Sequence, residues 1–234
     1  MNWVSYCLFG NDPKYTEGAI RNAVRVREVY PDFRPRFSVC GDVAPGTIER
    51  LQAEQAVVYR FGEGFCAVEK MMQRAFVFDE PETETVLFRD ADSRITDREV
   101  AAVREWLTSG YGTHVMRDFP YQFAPLGGGL WGTRKGSGRH LEMRRLWEEY
   151  KRVTPEWPQL DDQVFLHRVI WPIVRGDTLL HDGIGNMAAV RPFPIPFNPE
   201  QGFVGEIFLV REGKDFCIPE HRKVREDFQR LYYE

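Results

Sequence analysis

Two aspartates one residue apart, Asp90 and Asp92, follow an apolar run at residues 86–88 that has the pattern of a β-strand. Carboxylates on either side of one intervening residue at a strand end can share one hard divalent cation, because such cations prefer oxygen ligands. The alternative is a turn that carries two solvated acids. The position directly after a strand favours the metal site, since ligands bind at strand ends in parallel sheets.

Three other segments carry residue types that do chemistry, and each also has an ordinary structural explanation. Asp161 and Asp162 precede an apolar helical run, where an acidic residue is also a common N-cap. His181 ends a short apolar stretch, and a neutral imidazole there could complete the coordination of a cation, although a lone histidine is more often structural. The glycines at 127–129 either form a bulge or let the backbone approach a ligand closely.

The elements that must position these residues alternate between β-rich runs and helical patterns. The spacing predicts strands at 3–9, 36–40, 56–60, 86–88, 113–116 and 178–181. It predicts helices up to Pro31, at 45–54, 68–78, 97–108 and 139–151, and from 162 and 219 onward, with a proline-rich loop at 192–199. This alternation implies a doubly wound α/β domain, with a mainly parallel sheet covered by helices on both faces and ligands at the strand carboxyl ends.

Composition and charge narrow the class of protein further. With 43% hydrophobic and 14% aromatic residues in 234, most of the chain is expected to fold around a core, as one domain. The 31 basic and 35 acidic residues give a net charge of −4, which disfavours nucleic acid or an anionic membrane as principal partner. The four cysteines are scattered, and no apolar run reaches spanning length, so we expect a cytoplasmic protein with reduced thiols and no transmembrane segment.

Six short segments follow one another in an order that resembles a known family. They are Gly-Asn-Asp-Pro-Lys-Tyr at 10–15, Arg-Asp-Ala-Asp-Ser-Arg at 89–94, His-Val-Met-Arg-Asp at 114–118, Gly-Gly-Gly-Leu-Trp-Gly at 127–132, Asp-Asp-Gln-x-Phe-Leu at 161–166 and Leu-His-Asp at 180–182. Together they resemble the nucleotide-diphospho-sugar transferases of the GT-A fold. The nearest likeness is to small bacterial glycosyltransferase-like proteins distantly similar to the retaining family 8 enzymes, over about residues 3–185.

The resemblance implies a metal-dependent glycosyltransferase with a Rossmann-like GT-A sheet. The enzyme would move a sugar from a nucleotide-diphospho-sugar, with a UDP-sugar expected, to a glycan, lipid or protein acceptor. Asp90 and Asp92 would hold Mn²⁺ or Mg²⁺ on the diphosphate, with His181 as a third ligand. The residues implied in donor binding are Phe9, Gly10, Asn11, Asp12, Arg89, Asp90, Gly128, Gly129 and Trp131, and those implied in catalysis are Asp162, Gln163 and Asp118. Residues 1–95 would form a nucleotide-binding half, 96–190 an acceptor and catalytic half, and 191–234 an extension.

Two positions depart from the family pattern. Val164 stands where family 8 enzymes commonly have a second aspartate, and the segment 181–186 lacks the family's lysine. Without that lysine, neutralisation of the diphosphate is left to the metal and to basic residues that the sequence offers elsewhere, namely Arg89, Arg94 and Arg191.

Alternatives therefore remain open in mechanism and in function. Retention is expected by one of two routes. One uses a covalent nucleophile, for which Asp162 matches the motif and Asp118 is a weaker candidate. The other is front-face attack, in which the departing phosphate oxygen acts as base and which fits Val164. A nucleotide-sugar-binding protein without transfer activity is a second possible function. A third is a haloacid-dehalogenase-type phosphatase with Asp90 as nucleophile, although that motif usually opens the chain and here three strand–helix units precede it.

Overall fold

A computed structural model describes residues 1–118, 122, 125–136, 141–159, 161–183 and 190–225. Over these residues the chain forms one seven-stranded sheet and a separate two-stranded hairpin. The sheet strands are β1 (Asn2–Leu8), β2 (Phe33–Cys40), β3 (Val57–Phe61), β4 (Thr85–Phe88), β5 (Thr113–Arg117), β6 (Trp131–Arg134) and β7 (Thr178–Asp182). The helices are α1 (Pro13–Val29), α2 (Pro45–Ala53), α3 (Ala67–Met72), α4 (Asp97–Thr108), α5 (Met143–Val153), α6 (Asp162–Phe165) and α7 (Trp171–Val174).

The strand order is β3-β2-β1-β4-β6-β5-β7, and every neighbouring pair is parallel except the two that involve β6. The predicted doubly wound, mainly parallel sheet is thus confirmed, but β6 was not predicted as a strand. Its sequence contains Gly132, which weakens a strand pattern. The glycine is needed because a Cβ there would lie 2.8 Å from Cδ2 of Leu87 on β4.

Two hydrophobic cores cover the two faces of the sheet. On one face Val4, Tyr6 and Leu8 of β1 pack with apolar residues of α1 and α4, and on the other face Trp3 and Phe88 pack with residues of α5 and α6. Because β1 is buried on both faces, it reads as a nearly continuous apolar run, which is typical of a central parallel strand. Because β1 and β4 are parallel neighbours, their carboxyl ends lie at the same edge of the sheet, and the loops that follow them meet there.

The helices depart from prediction at two places, for identifiable reasons. The helix expected at 68–78 ends at Met72 and is followed by a short 3-10 helix, Phe76–Asp79. The helix expected at 139–151 begins at Met143, and residues 139–140 lie outside the described residues. Asp79 accepts hydrogen bonds from the backbone N of Met143 (2.7 Å) and of Arg144 (2.8 Å), so a distant residue caps α5.

The chain after β7 packs back onto the first half of the domain. Its hairpin of β8 (Phe208–Arg211) and β9 (Lys214–Cys217) was not predicted, whereas the helix expected from Pro219 is present at 219–225. Asp215 forms ion pairs with Arg21 of α1 (2.8 Å) and with Arg94 (2.7 Å). None of the helices in the described part of the chain has both the length and the apolar composition needed to cross a membrane.

Candidate active site

A cleft of about 380 Å³ opens at the edge where β1 and β4 end. Its lining includes the end of β1, the start of α1, the turn after α3, the loop after β4, the end of β5, the glycines before β6, the start of α6 and the segment before β8. Among the lining residues are Cys7, Phe9, Tyr15, Arg74, Asp90, Asp92, Arg117, Gly127, Gly128, Gly129, Asp161, Asp162, Gln163, Gly205 and Ile207. The sheet therefore gathers into one cleft the three motifs that the sequence singled out most strongly, the acidic pair, the glycines and the Asp-Gln pair.

Arg74 joins two of these motifs beneath the cleft. Its side chain is 5% exposed, and its guanidinium donates hydrogen bonds from Nη1 to Asp90 and from Nη2 to Asp162. The hydroxyl of Ser5 on β1 donates to the carbonyl of Arg74 at 2.7 Å, which fixes the backbone of this turn. A planar guanidinium can hold two carboxylates in fixed directions, so Arg74 acts as a clamp between the loop after β4 and the start of α6.

Sequence reasoning missed Arg74, although one signal was present. Residues 71–78 read Met-Met-Gln-Arg-Ala-Phe-Val-Phe, and an arginine inside so apolar a run must find a buried partner. The identity of that partner could not be read from the sequence.

The two clamped carboxylates differ in their access to the cleft. The side chain of Asp90 is 46% exposed, whereas that of Asp162 is 7% exposed. Burial raises the pKa of Asp162, the charge of Arg74 opposes this rise, and the charge of Asp90 adds to it. Asp161 supplies the N-cap of α6 by accepting from the backbone N of Val164 at 3.1 Å. The N-cap explanation therefore holds for Asp161, while Asp162 is left for the cleft.

The glycines at 128 and 129 carry the backbone directly over the clamp. A Cβ on Gly128 would lie 2.6 Å from Nη2 of Arg74 and 2.8 Å from Oδ2 of Asp162, and one on Gly129 would collide with the carboxylate of Asp90. Any side chain at either position would have to displace a packed charged group. The geometry thus shows close approach of the backbone to the protein's own carboxylates, and approach of this backbone to a ligand stays a prediction.

Asp92 lies deeper in the site than Asp90 and has its own cation. Its side chain forms an ion pair with Nζ of Lys14 at 3.0 Å, and its carbonyl accepts from the backbone N of Phe208 at 2.9 Å. Burial raises the pKa of Asp92, and the charge of Asp90 adds to the rise, while Lys14 opposes it. Each acid of the pair thus faces one cation, Asp90 the guanidinium of Arg74 and Asp92 the ammonium of Lys14.

The loop after β1 is held by Asp42, a second residue that sequence reasoning missed. Asp42 accepts from the backbone N of Gly10 (3.0 Å) and from Nζ of Lys70 (3.1 Å). The side chain of Asn11 bonds the backbone of Asp42 and Ala44 in the loop after β2, and Asp12 caps α1, so both have structural roles. Gly10 has a φ of 70°, a conformation that favours glycine. Of the four residues predicted here, Phe9 lines the cleft.

Arg89 and Trp131 are not brought to the cleft. Both are almost completely buried, and the guanidinium of Arg89 donates to Glu99 of α4 at 2.7 Å and to the carbonyl of Trp131 at 2.9 Å. The indole of Trp131 packs on Phe88 with ring centroids 4.3 Å apart. In this arrangement both side chains stabilise the sheet beneath the site instead of contacting a donor.

Asp118 and His181 are also buried away from the cleft lining. Asp118 is held by Arg98 (3.0 Å) and by the backbone N of Val204 (3.1 Å). Nδ1 of His181 lies 2.8 Å from Nε2 of His114, and β7 is separated from β4 by two strands. His181 is therefore not placed with Asp90 and Asp92 as a third ligand, and residues 184–186 of its motif lie outside the described residues.

The remaining basic candidates are engaged elsewhere. Arg94 pairs with Asp215, and Arg191 pairs with Glu105 on α4. Arg117 lines the cleft and donates a hydrogen bond to Asp182. Neither contact was predicted from the sequence.

The buried pair of histidines predicts a loss of stability in acid. Nε2 of His181 faces Glu105 at 3.3 Å, so His181 donates there and accepts at Nδ1 from the Nε2–H of His114. Burial lowers the pKa of both rings, and protonating either one would introduce a charge into a fully buried pair. Because the folded pKa values lie below the unfolded value of about 6.5, the unfolded chain binds more protons in acid. The free energy of unfolding should therefore hold above about pH 6.5 and fall as the pH drops below it.

Urea unfolding between pH 5.5 and 7.5 measures this dependence. His114→Phe should reduce its slope, whereas His167→Gln, which changes an exposed histidine, should leave it unaltered. An identical slope for His114→Phe and the parent protein would contradict the prediction.

Comparison with known proteins gives a clear result for the fold. No protein-family model matches the chain, and no curated protein matches it. Among solved structures, an active-site mutant of LgtC is similar over 97% of this chain and 96% of that one, with a TM-score of 0.52 and 11% sequence identity. The chain has the GT-A fold.

Other structures similar to this GT-A chain include two further glycosyltransferases. One is involved in the glycosylation of the major capsid of PBCV-1, with 17% identity and a TM-score of 0.47 over 76% of this chain and 81% of that one. The other is glucosyl-3-phosphoglycerate synthase from Mycobacterium tuberculosis, solved with Mn²⁺, UDP-glucose and phosphoglyceric acid, with 13% identity and a TM-score of 0.40 over 57% and 56% of the chains.

The charge of the GT-A cleft suits a divalent cation. In the part of the chain that the structure describes, four aspartates line it against two arginines, and no group of three or more acidic, histidine or cysteine side chains is arranged to hold a metal. Asp90 and Asp92 supply the oxygen ligands that Mg²⁺ and Mn²⁺ prefer, and the side chain of Asp90 is 46% exposed. Two carboxylates are a partial ligand set, so a cation held there would need further ligands from outside the described residues.

Proposed function

We propose that this protein is a glycosyltransferase that moves a sugar from a nucleotide-diphospho-sugar, a UDP-sugar in the first instance, to a glycan, lipid or protein acceptor. The observation that carries the proposal is the Arg74 clamp, which joins the acidic pair after β4 to the Asp-Gln pair of α6 in one cleft of a GT-A chain. Such a cleft offers oxygen ligands for a diphosphate-bound cation beside a buried carboxylate.

Asp90 and Asp92 would hold Mn²⁺ or Mg²⁺. When bound, the cation supplies positive charge that stabilises the departing diphosphate. Arg74 keeps Asp90 pointing into the cleft and keeps Asp162 fixed below it. Because Gly128 has no side chain, a donor sugar can reach the carboxylate of Asp162, whose negative charge would stabilise an anomeric carbon that becomes positive in the transition state.

Gln163 and Asp162 would have different roles at the donor sugar. Gln163 is exposed at the cleft rim, where its amide can hydrogen-bond to sugar hydroxyls. Asp162 is almost buried and bonded to Arg74, which favours an electrostatic role over a nucleophilic one. We therefore propose retention by front-face attack, in which a phosphate oxygen of the leaving group accepts the proton of the acceptor hydroxyl.

A donor screen tests the proposal directly. The protein's melting temperature is measured with UDP-sugars and GDP-sugars, each with and without Mn²⁺, and the true donor should raise it. The protein should then slowly hydrolyse that donor and release free nucleotide. Stabilisation without nucleotide release, for every donor and acceptor tried, would favour a binding protein that lacks transfer activity. An inverted anomeric configuration in the product, read by NMR, would contradict the front-face mechanism.

The GT-A fold disfavours the alternative function, a haloacid-dehalogenase-type phosphatase. Asp90 follows the fourth strand in chain order, and that strand lies beside the antiparallel β6. Asp90 is also bonded to Arg74, which lowers its nucleophilicity because the positive charge stabilises the carboxylate. Release of phosphate from aryl phosphates is accordingly not expected.

A further inference from the structure

Lys14 occupies a position that helix electrostatics disfavour. It is in the first turn of α1, which begins with Asp12 as N-cap and Pro13, and the positive end of the helix dipole repels a cation there. Its ammonium nevertheless lies 3.0 Å from Oδ2 of Asp92, with 21% of the side chain exposed. The ion pair with the acidic motif offsets the unfavourable placement.

Close packing fixes the backbone on both sides of the Lys14–Asp92 ion pair. A Cβ on Gly18 of α1 would collide with the carbonyl of Ala91, between the two acids, so α1 lies directly against their loop. The other side of the loop is held where the backbone of Asp92 pairs with Phe208. The backbones of Lys14 and Asp92 are therefore anchored, while the four-carbon stem of the lysine allows its ammonium to move.

The three arginines that the sequence offered for neutralising a diphosphate do not line the cleft. Arg89 is buried in the sheet, Arg94 is paired with Asp215, and Arg191 is paired with Glu105. Lys14 is not one of the lining residues either, but its ammonium already lies beside one of the two acids that would hold the cation. A phosphate oxygen bound at that cation would come within reach of the lysine.

We propose that Lys14 is the resident counter-ion of Asp92, that a divalent cation displaces its ammonium, and that the ammonium then pairs with the diphosphate of the donor. This inference rests on the proposed function. It has two consequences. A divalent cation alone binds weakly, because it must break the Lys14–Asp92 ion pair, and the nucleotide diphosphate strengthens cation binding because it gives the displaced ammonium a new partner.

Calorimetric titration of Lys14→Met tests both consequences without any turnover. Mn²⁺ alone should bind the variant about tenfold more tightly than the parent protein, whereas UDP in saturating Mn²⁺ should bind about tenfold more weakly, each corresponding to about 1.4 kcal/mol. Lys14→Arg keeps the charge and should behave like the parent in both titrations.

Lys151→Met is the matched control, since Lys151 pairs with Glu148 at 2.9 Å and its side chain is 20% exposed, but it lies on α5 away from the cleft. It should alter neither affinity. Unchanged or weaker Mn²⁺ binding to Lys14→Met, or undiminished UDP binding, overturns the inference. If the titrations contradict the role of Lys14 but the protein still turns over UDP-sugars, the inference fails and the proposed function is unaffected. If the protein binds neither UDP nor any nucleotide sugar, both the proposed function and the inference fail.

Discussion

Asp92→Asn should abolish Mn²⁺-dependent binding of the donor, with a loss of affinity of at least about 100-fold, or about 2.7 kcal/mol. The amide keeps the shape of the side chain but removes the negative charge and one of the four carboxylate oxygens that the acidic pair offers. Because Lys14 is partly exposed, water can solvate it when its partner is neutralised, so the fold should survive. Titration of UDP in the presence of Mn²⁺ measures the affinity, and urea unfolding checks the fold.

Asp32→Asn provides a matched control for this prediction. Asp32 is exposed and precedes β2, so it lies at the amino edge of the sheet, opposite the cleft. The same chemical change there should leave UDP affinity unaltered. If Asp92→Asn keeps the affinity of the parent protein in Mn²⁺, Asp92 is not a ligand and the metal site must be sought elsewhere.

Replacement of Arg74 by methionine should be the most destabilising single change in the site, costing about 3–5 kcal/mol of unfolding free energy. Methionine fills much of the volume but leaves Asp162 buried without its cation and beside Asp90. The pKa of Asp162 is already raised by burial, and loss of Arg74 removes the charge that opposes this rise. The variant should therefore also lose donor binding, because Asp90 is no longer held toward the cleft.

Urea unfolding of Arg74→Met, Asp162→Asn and the double variant measures the coupling between the two side chains. The double variant should recover part of the stability, since no uncompensated charge then remains at Asp162. Arg145→Met, at an exposed arginine that pairs with Glu142 on the surface, should change stability little. A loss below about 1 kcal/mol for Arg74→Met would mean that the clamp is not structurally important.

The sequence located the main elements of the site because each lies beside a strong local signal. Asp90 and Asp92 follow an apolar strand, Asp162 stands at the start of a helix, and the glycines interrupt a run that otherwise contains large residues. Alternation of strands and helices was sufficient to predict that these segments meet at one edge of a parallel sheet. The structure confirms that edge.

Residues whose role depends on a distant partner could not be assigned in this way. His181 ends a strand, as expected, but β6 and β5 lie between that strand and β4, and this separation was hidden because β6 was not recognised. Asp79 caps α5 across a long stretch of chain, which is why the start of that helix was placed too early. The β8–β9 hairpin is attached through Asp215, whose two arginine partners come from the first half of the chain.

Local sequence by itself determined which segments become strands and helices and which acids stand at their ends, because hydrophobic periodicity and helix capping act over a few residues. Only the tertiary structure decided which of those acids share a cleft and which cation each one faces. Arg74 between Asp90 and Asp162, and Lys14 beside Asp92, are pairings between segments brought together by the sheet. Burial makes such pairings energetically decisive, and burial is a property of the whole fold.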